Sequence, residues 1–181
     1  MRINQETCSA CKKCIPVCPV GAIVFDKAER KVSIEYEQCV ECGVCYRLNV
    51  CPKDSFMEEE LVWPRSIRAG LSNPLLVDPR TRIPGRGTEE MKTNDVTGRF
   101  KPGYLGIAVE MGRPGIGASL LDIEKVTQRI AKNDVDFCPE NPITFLMENT
   151  QTGKINPEVL NERVLSGIIE FEIPVEKARP S

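Results

Sequence analysis

The sequence predicts an α+β chain in two folded units, residues 1–60 and 104–181, joined by an extended basic arm over residues 61–103. Three observations predict it. Eight of the nine cysteines fall before residue 52, in two sets of nearly equal spacing. From Leu61 to Gly103 periodicity gives way to prolines, glycines and arginines, and from Tyr104 it returns in the order of a βαββαβ sandwich.

The first set is Cys8, Cys11, Cys14 and Cys18, followed by Pro19; the second is Cys39, Cys42, Cys45 and Cys51, followed by Pro52. Three thiolates at two-residue gaps can wrap three irons of one cubane cluster, and the fourth cysteine, set before proline, reaches the other cluster. The spacing therefore assigns Cys8, Cys11, Cys14 and Cys51 to one [4Fe-4S] cluster. Cys39, Cys42, Cys45 and Cys18 go to the second. Zinc is the plain competitor, but a zinc site closes with four ligands and explains neither the third cysteine at the same gap nor the repeated Cys-Pro ending. A disulfide framework needs an oxidising compartment, and Met1 to Ala22 does not read as a cleavable signal.

These residues resemble the bacterial-type ferredoxins with two [4Fe-4S] clusters, closely over CSACKKCIPVCPVGAI and more loosely over CVECGVCYRLNVCP. The resemblance covers about the first third of the chain. It implies single-electron transfer by two clusters. One departure is the gap from Cys45 to Cys51, where five residues replace the usual three.

The whole chain carries a formal charge of -2 and no histidine, which removes the commonest general acid-base group. No apolar run approaches a membrane span, and a cytoplasmic location is expected. Residues 1–60 carry eight basic and ten acidic side chains, residues 61–103 eight and four, and residues 104–181 eight and twelve. A basic seam thus separates acidic ends. Nucleic acid is not the expected partner, because no aromatic residues interleave with the arginines.

Residues 1–60 read as two copies of strand, cysteine loop, brief helix and return strand. The strands are expected at Arg2 to Gln5, Ile23 to Phe25, Val32 to Tyr36 and Ser55 to Glu58. So small a unit has little core of its own, and metal ligation is expected to hold it together. Ile15, Val17, Val20, Ala22, Ile23, Val40, Val44 and Val50 would keep water from the sulfurs. Lys12 and Lys13 read either as a solvated face or as a docking point for an acidic partner. Phe25, Tyr46 and Phe56 read as packing around the clusters.

In the arm, Pro64, Pro74, Pro79, Pro84 and Pro102 favour extended or turn shapes. Arg65, Arg68, Arg80, Arg82, Arg86 and Arg99 either grip a small anionic ligand or pair with the acidic units beside them. GRGTEEMKTNDVTGRF, Gly85 to Phe100, looks like a stretch in ferredoxin-fused anaerobic reductases of the 6-hydroxynicotinate reductase type. That likeness implies reduction of an unsaturated ring compound together with a further subunit.

In the C-terminal unit, Leu105, Ile107, Val109 and Met111 alternate as a strand facing a core. The turn GRPGIGAS, Gly112 to Ser119, is a candidate anion site through its backbone amides and Arg113, or simply a glycine turn. Asp122 is the expected N-cap of a helix carrying Ile123, Val126 and Ile130. Val135 to Cys138 and Ile143 to Met147 read as strands, Asn156-Pro157 as the start of a second helix ended by Gly167, and Ile168 to Ile173 as the last strand. This order is the split βαβ or ferredoxin-like sandwich, loosely similar to ligand-sensing ACT-type domains. Cys138 stands alone, outside both completed sets, as a buried structural thiol or a redox group.

The function expected is an iron-sulfur electron-transfer protein or subunit passing low-potential electrons to or from a partner oxidoreductase under anaerobic conditions, itself non-catalytic. Two other readings stand beside it. One is part of a ring-reducing reductase site binding a carboxylated substrate, and the other is a small-molecule sensor with redox clusters.

Overall fold

In the computed structural model the described residues are 1–77, 98–113 and 115–178. The first 57 residues form two short antiparallel ribbons around the cysteine loops. β1 (Arg2–Ile3) pairs with β4 (Phe56–Met57), and β2 (Ile23–Asp26) pairs with β3 (Lys31–Ile34). Each cysteine loop runs into one short turn of helix, a 3-10 turn at Ile15–Val17 and α1 at Val44–Arg47. The four strands fall within two residues of expectation, because branched residues bounded by turn residues mark them at both ends. Buried hydrophobic packing here is slight: Met1, Ile23, Val32 and Phe56 are surrounded mainly by cysteines and a few partly buried side chains.

The segment expected to be an extended arm contains α2 (Ser66–Ser72), buried along almost all its length. Ile67 and Leu71, four residues apart, lie on one helical face and enter the C-terminal core. Arg68 is 2% exposed and points the other way, to the backbone carbonyls of Tyr36, Glu37 and Cys39. One turn of apolar spacing inside a proline-rich stretch is too short to announce a helix; burial between two layers stabilises it. Arg80, Arg82, Arg86 and most of Gly85 to Phe100 lie outside the described residues.

The C-terminal part is built on β5 (Tyr104–Met111), β6 (Ala118–Ser119), α3 (Leu120–Ala131), β7 (Asp136–Phe137), α4 (Pro142–Phe145), β8 (Met147–Asn149), β9 (Lys154–Ile155), β10 (Arg163–Val164) and β11 (Gly167–Pro174). Its main sheet has the order β5-β11-β7, with every pairing antiparallel. β11 is central, and its run Gly167 to Phe171 is buried on both faces. Ile107 stands opposite Phe171 and Val109 opposite Ile169, as the alternation in β5 requires.

This corrects the expected βαββαβ sandwich: the sheet has three strands where that fold has four, and the last strand, β11, takes the centre. Two elements account for the difference. Ile143 to Met147 begins as α4, because the Asn141 side chain accepts from the amides of Ile143 and Thr144 with Pro142 at the first helical position. The helix expected after Pro157 is a single 3-10 turn, Pro157–Val159, before the chain straightens into β10 beside β6.

α3 forms as expected but starts earlier. Ser119 is its N-cap, accepting from the Asp122 amide at 3.0 Å, and Asp122 sits at N3 and accepts from the Ser119 hydroxyl at 2.6 Å. The Ser119 hydroxyl thus both caps the helix and holds the Asp122 carboxylate. The helix buries Leu120, Ile123 and Thr127, and each aliphatic side chain contributes about 2 kcal/mol of burial.

Candidate metal centre

The two cysteine loops wind alike. Ala10 and Lys12, on either side of Cys11, adopt positive φ of 52° and 65°; Glu41 and Gly43, on either side of Cys42, adopt 54° and 69°. Left-handed backbone at residues other than glycine costs about 1 kcal/mol each. Its repetition at equivalent positions marks one loop conformation used twice. The repeat is one of shape as well as of spelling.

Folding brings the fourth cysteine of each set to the other loop. Cys8, Cys11, Cys14 and Cys51 line one cavity, closed by Ile3, Val32 and Phe56. Burial pushes the Cys14 thiol up, with the thiols of Cys11, Cys8 and Cys51 adding to it. In the other group burial raises Cys45 to about 12, helped by Cys42, Cys39 and Cys18. Cys39 is raised to about 11 by burial and then by Glu41, and Cys42 is raised by burial with Cys18 contributing. Three thiols raised chiefly by burial, with Cys18 beside two of them, need cationic charge to ionise together.

Amide donors answer two of the sulfurs. The Ala22 N–H donates to Cys18 Sγ at 3.2 Å, and the Ser55 N–H donates to Cys51 Sγ at 3.3 Å, each from four residues downstream. At Cys51 burial is outweighed by the Ser55 and Lys53 amides and the Ser55 side chain, so its thiol lies below its ordinary value. Such donors stabilise thiolate ligands. The sequence reading overlooked them, although aligning the two copies places Ala22 and Ser55 at the same offset.

A tetrahedral zinc site holds its sulfurs about 3.8 Å apart. Among the described residues no three Cys, Asp or Glu side chains converge closely enough to hold a single metal ion. Cys8, Cys11, Cys14 and Cys51 line a hollow with apolar walls, and amides donate to Cys18 and Cys51. That fits a multi-iron cluster.

The second group is braced from outside. Arg65 donates to Glu41 Oε1 at 2.6 Å and lies 3.4 Å from the Tyr36 ring, while the Met1 amine meets Glu41 Oε2 at 2.8 Å. Arg68 pairs with buried Glu162. Arg47 donates to the Cys42 carbonyl at 2.9 Å and to Asn73 at 2.8 Å. Arg99 meets Asp136 at 2.8 Å. The described arginines of the arm thus pair within the chain.

The glycine turn does not present its amides as an anion site. The Gly115 N–H donates to the Pro19 carbonyl, and those of Ile116 and Gly117 donate to the Arg113 carbonyl. Arg113 itself pairs with Glu110. Gly117 has φ of 69°, and a Cβ there would lie 3.1 Å from the Val164 carbonyl oxygen and 3.5 Å from Val20. The turn is a dock for the Cys18-Pro19-Val20 corner. Cys138 is fully buried with its thiol 3.4 Å from Glu140, far in sequence from both groups.

Residues 7–55 match the family of 4Fe-4S dicluster domains. The ferredoxin-like protein in the vnf region of Azotobacter vinelandii is 42% identical over 57 residues, 30% of this chain and 85% of that one. The chain belongs to the dicluster ferredoxin family through this segment. The uncharacterized ferredoxin-like protein YdhY of Escherichia coli K12 is 35% identical over 54 residues, 29% of this chain and 25% of that protein. Subunit IorA of the indolepyruvate oxidoreductase of Pyrococcus abyssi is 34% identical over 55 residues, 30% of this chain and 8% of its own length. The chain thus spans about a quarter of the E. coli relative. No solved structure matches it. The dicluster ferredoxin segment carries an iron-sulfur, electron-transfer role. Among the described residues no helix is long and apolar enough to cross a membrane.

Proposed function

We propose that the chain is an electron-transfer subunit that passes single electrons at low potential to or from a partner oxidoreductase. In this reading Cys8, Cys11, Cys14 and Cys51 hold one [4Fe-4S] cluster and Cys39, Cys42, Cys45 and Cys18 hold the other. The observation that carries it is the exchange of fourth cysteines: Cys51 lines the cavity of the first loop, and Cys18 acts on the thiols of the second. Each cluster when bound takes up or gives one electron. Around that chemistry the chain supplies thiolates, directs amides to Cys18 and Cys51, and excludes water with Ile23, Val32, Val40 and Phe56.

The partner is an oxidoreductase, in keeping with the likeness to an oxidoreductase subunit. Residues beyond the dicluster segment fix where the electrons go. All nine cysteines are free, which suits a reducing, oxygen-poor cytoplasm. The test is iron and sulfide analysis of anoxically prepared protein with low-temperature electron paramagnetic resonance. About eight of each per chain, with coupled spins on reduction, is expected. Colourless protein holding zinc sinks the reading. Anoxic co-purification with a stoichiometric partner bearing a flavin, molybdenum or tungsten centre tests the subunit role.

A further inference from the structure

The two cysteine groups do not meet solvent alike. Cys42 of the second is 7% exposed. The Cys39 carbonyl is held by Arg68, the Cys42 carbonyl by Arg47, and the Pro19 carbonyl by the Gly115 amide. Gly117 packs against Val20. Arg68, Gly115 and Gly117, all beyond residue 60, thus fold over this group, and Asn73 steadies Arg47 from the same side. The first group has no such cover among the described residues: every residue lining its cavity comes from the first 56, and Cys11 is exposed.

Lysines also rim this uncovered edge of an acidic chain. Lys12 and Lys13 lie between Cys11 and Cys14 and line the cavity, and Lys53 follows Cys51 and Pro52; all three are exposed. Glu6 and Asp54 are the exposed acids near them in the chain, so this set of side chains is net positive where the whole chain is -2. Lys12 is held across the surface, its Nζ 3.7 Å from the centre of the Phe25 ring, instead of ranging freely.

We propose that the edge formed by Cys8, Cys11, Cys14 and Cys51 is the port through which electrons enter and leave this chain, and that Lys12, Lys13 and Lys53 receive an acidic face of the redox partner there. The inference rests on the electron-transfer reading above and adds direction to it. One electron crosses per encounter, between this edge and a one-electron carrier of the partner such as a flavin or an iron-sulfur group. No bond or proton changes. The second group, walled by α2 and the glycine turn, exchanges electrons with the first rather than with the outside.

The test compares anoxic holoprotein with the K12E/K13E double variant, and with K132E/K154E on the C-terminal surface as a control. Reduced protein is oxidised in a stopped-flow instrument by anionic ferricyanide and by cationic hexaammineruthenium(III). At low salt K12E/K13E slows the first about 5–10-fold and speeds the second by a similar factor, and both effects fade at about 1 M salt. The control changes little. Apart from rates, carbodiimide coupling to polyglutamate, mapped by mass spectrometry, concentrates at Lys12, Lys13 and Lys53. If the double variant loses iron, K53E supplies the same readouts. Unchanged rates with both oxidants, equal changes in the control, or coupling spread evenly over the lysines overturns the port. Parent protein that binds no iron overturns instead the reading beneath it.

Discussion

Arg68 Nη1 donates to the Cys39 carbonyl at 2.8 Å from a helix whose apolar face belongs to the C-terminal core. The same guanidinium pairs with buried Glu162 and reaches the Tyr36 and Glu37 carbonyls. One side chain therefore ties the second cysteine loop to β10 and its neighbours.

Replacing Arg68 by alanine leaves Glu162 and the Glu37 and Cys39 carbonyls without their donor, while the Tyr36 carbonyl keeps Arg65. A loss of about 3–5 kcal/mol is expected, the usual cost of breaking a buried pair from one side. R68K keeps the charge but loses the planar fork and recovers only part of it. Denaturant unfolding of the holoprotein measures both. Iron loss from R68A should exceed that from a surface variant such as K154A.

Removing iron with a chelator under reducing conditions unfolds the first 57 residues and spares the rest. The N-terminal core is four buried hydrophobic residues ringed by cysteines, whereas the C-terminal core spans α3, β10, β11 and α4. Hydrogen exchange checks it: protection should vanish in β2 and β3 and persist in β11 and α3. Equal loss in both halves contradicts it.

The dicluster motif and the four N-terminal strands were legible because cysteine spacing and turn residues are local signals. The C-terminal topology was not. Asn141-Pro142 carries the same cap signature as Asn156-Pro157, yet the apolar run Ile143 to Met147 reads as a strand, and the second signature starts only one turn of 3-10 helix. Apolar runs of five residues do not distinguish strand from helix. The use of Gly115 and Gly117 against Pro19 and Val20 is a tertiary fact that no local pattern carries.

Burial, then the neighbouring Glu140 carboxylate, raises the Cys138 thiol to about 12 from an ordinary 9.0. Because the folded value is the higher one, stability is intact below pH 9 and declines as pH rises from about 9 towards 12, where only the unfolded chain ionises. The loss is about 1 kcal/mol at pH 10. Unfolding at pH 8 and pH 10 should show it in the parent and not in C138A. Folded protein should also resist iodoacetamide at Cys138, checked by peptide mapping.

Ser119→Ala removes the α3 cap and should cost about 1 kcal/mol, measured by thermal or denaturant unfolding. The Lys125 and Ser119 hydrogen bonds hold the Asp122 carboxyl below its ordinary value. The stabilisation it lends is present above about pH 4 and fades as acid titrates the group through its lowered value. S119A should weaken that acid sensitivity, whereas S119D should preserve the cap.

The burial of α2 between two layers bears on any attempt to transplant these cysteines. A graft cut after Glu60 leaves behind the guanidinium that satisfies Tyr36, Glu37 and Cys39. One extended through Ser72 carries Ile67 and Leu71 into water as an oily stripe. A working transplant would need a new surface designed beneath that helix, or the whole chain.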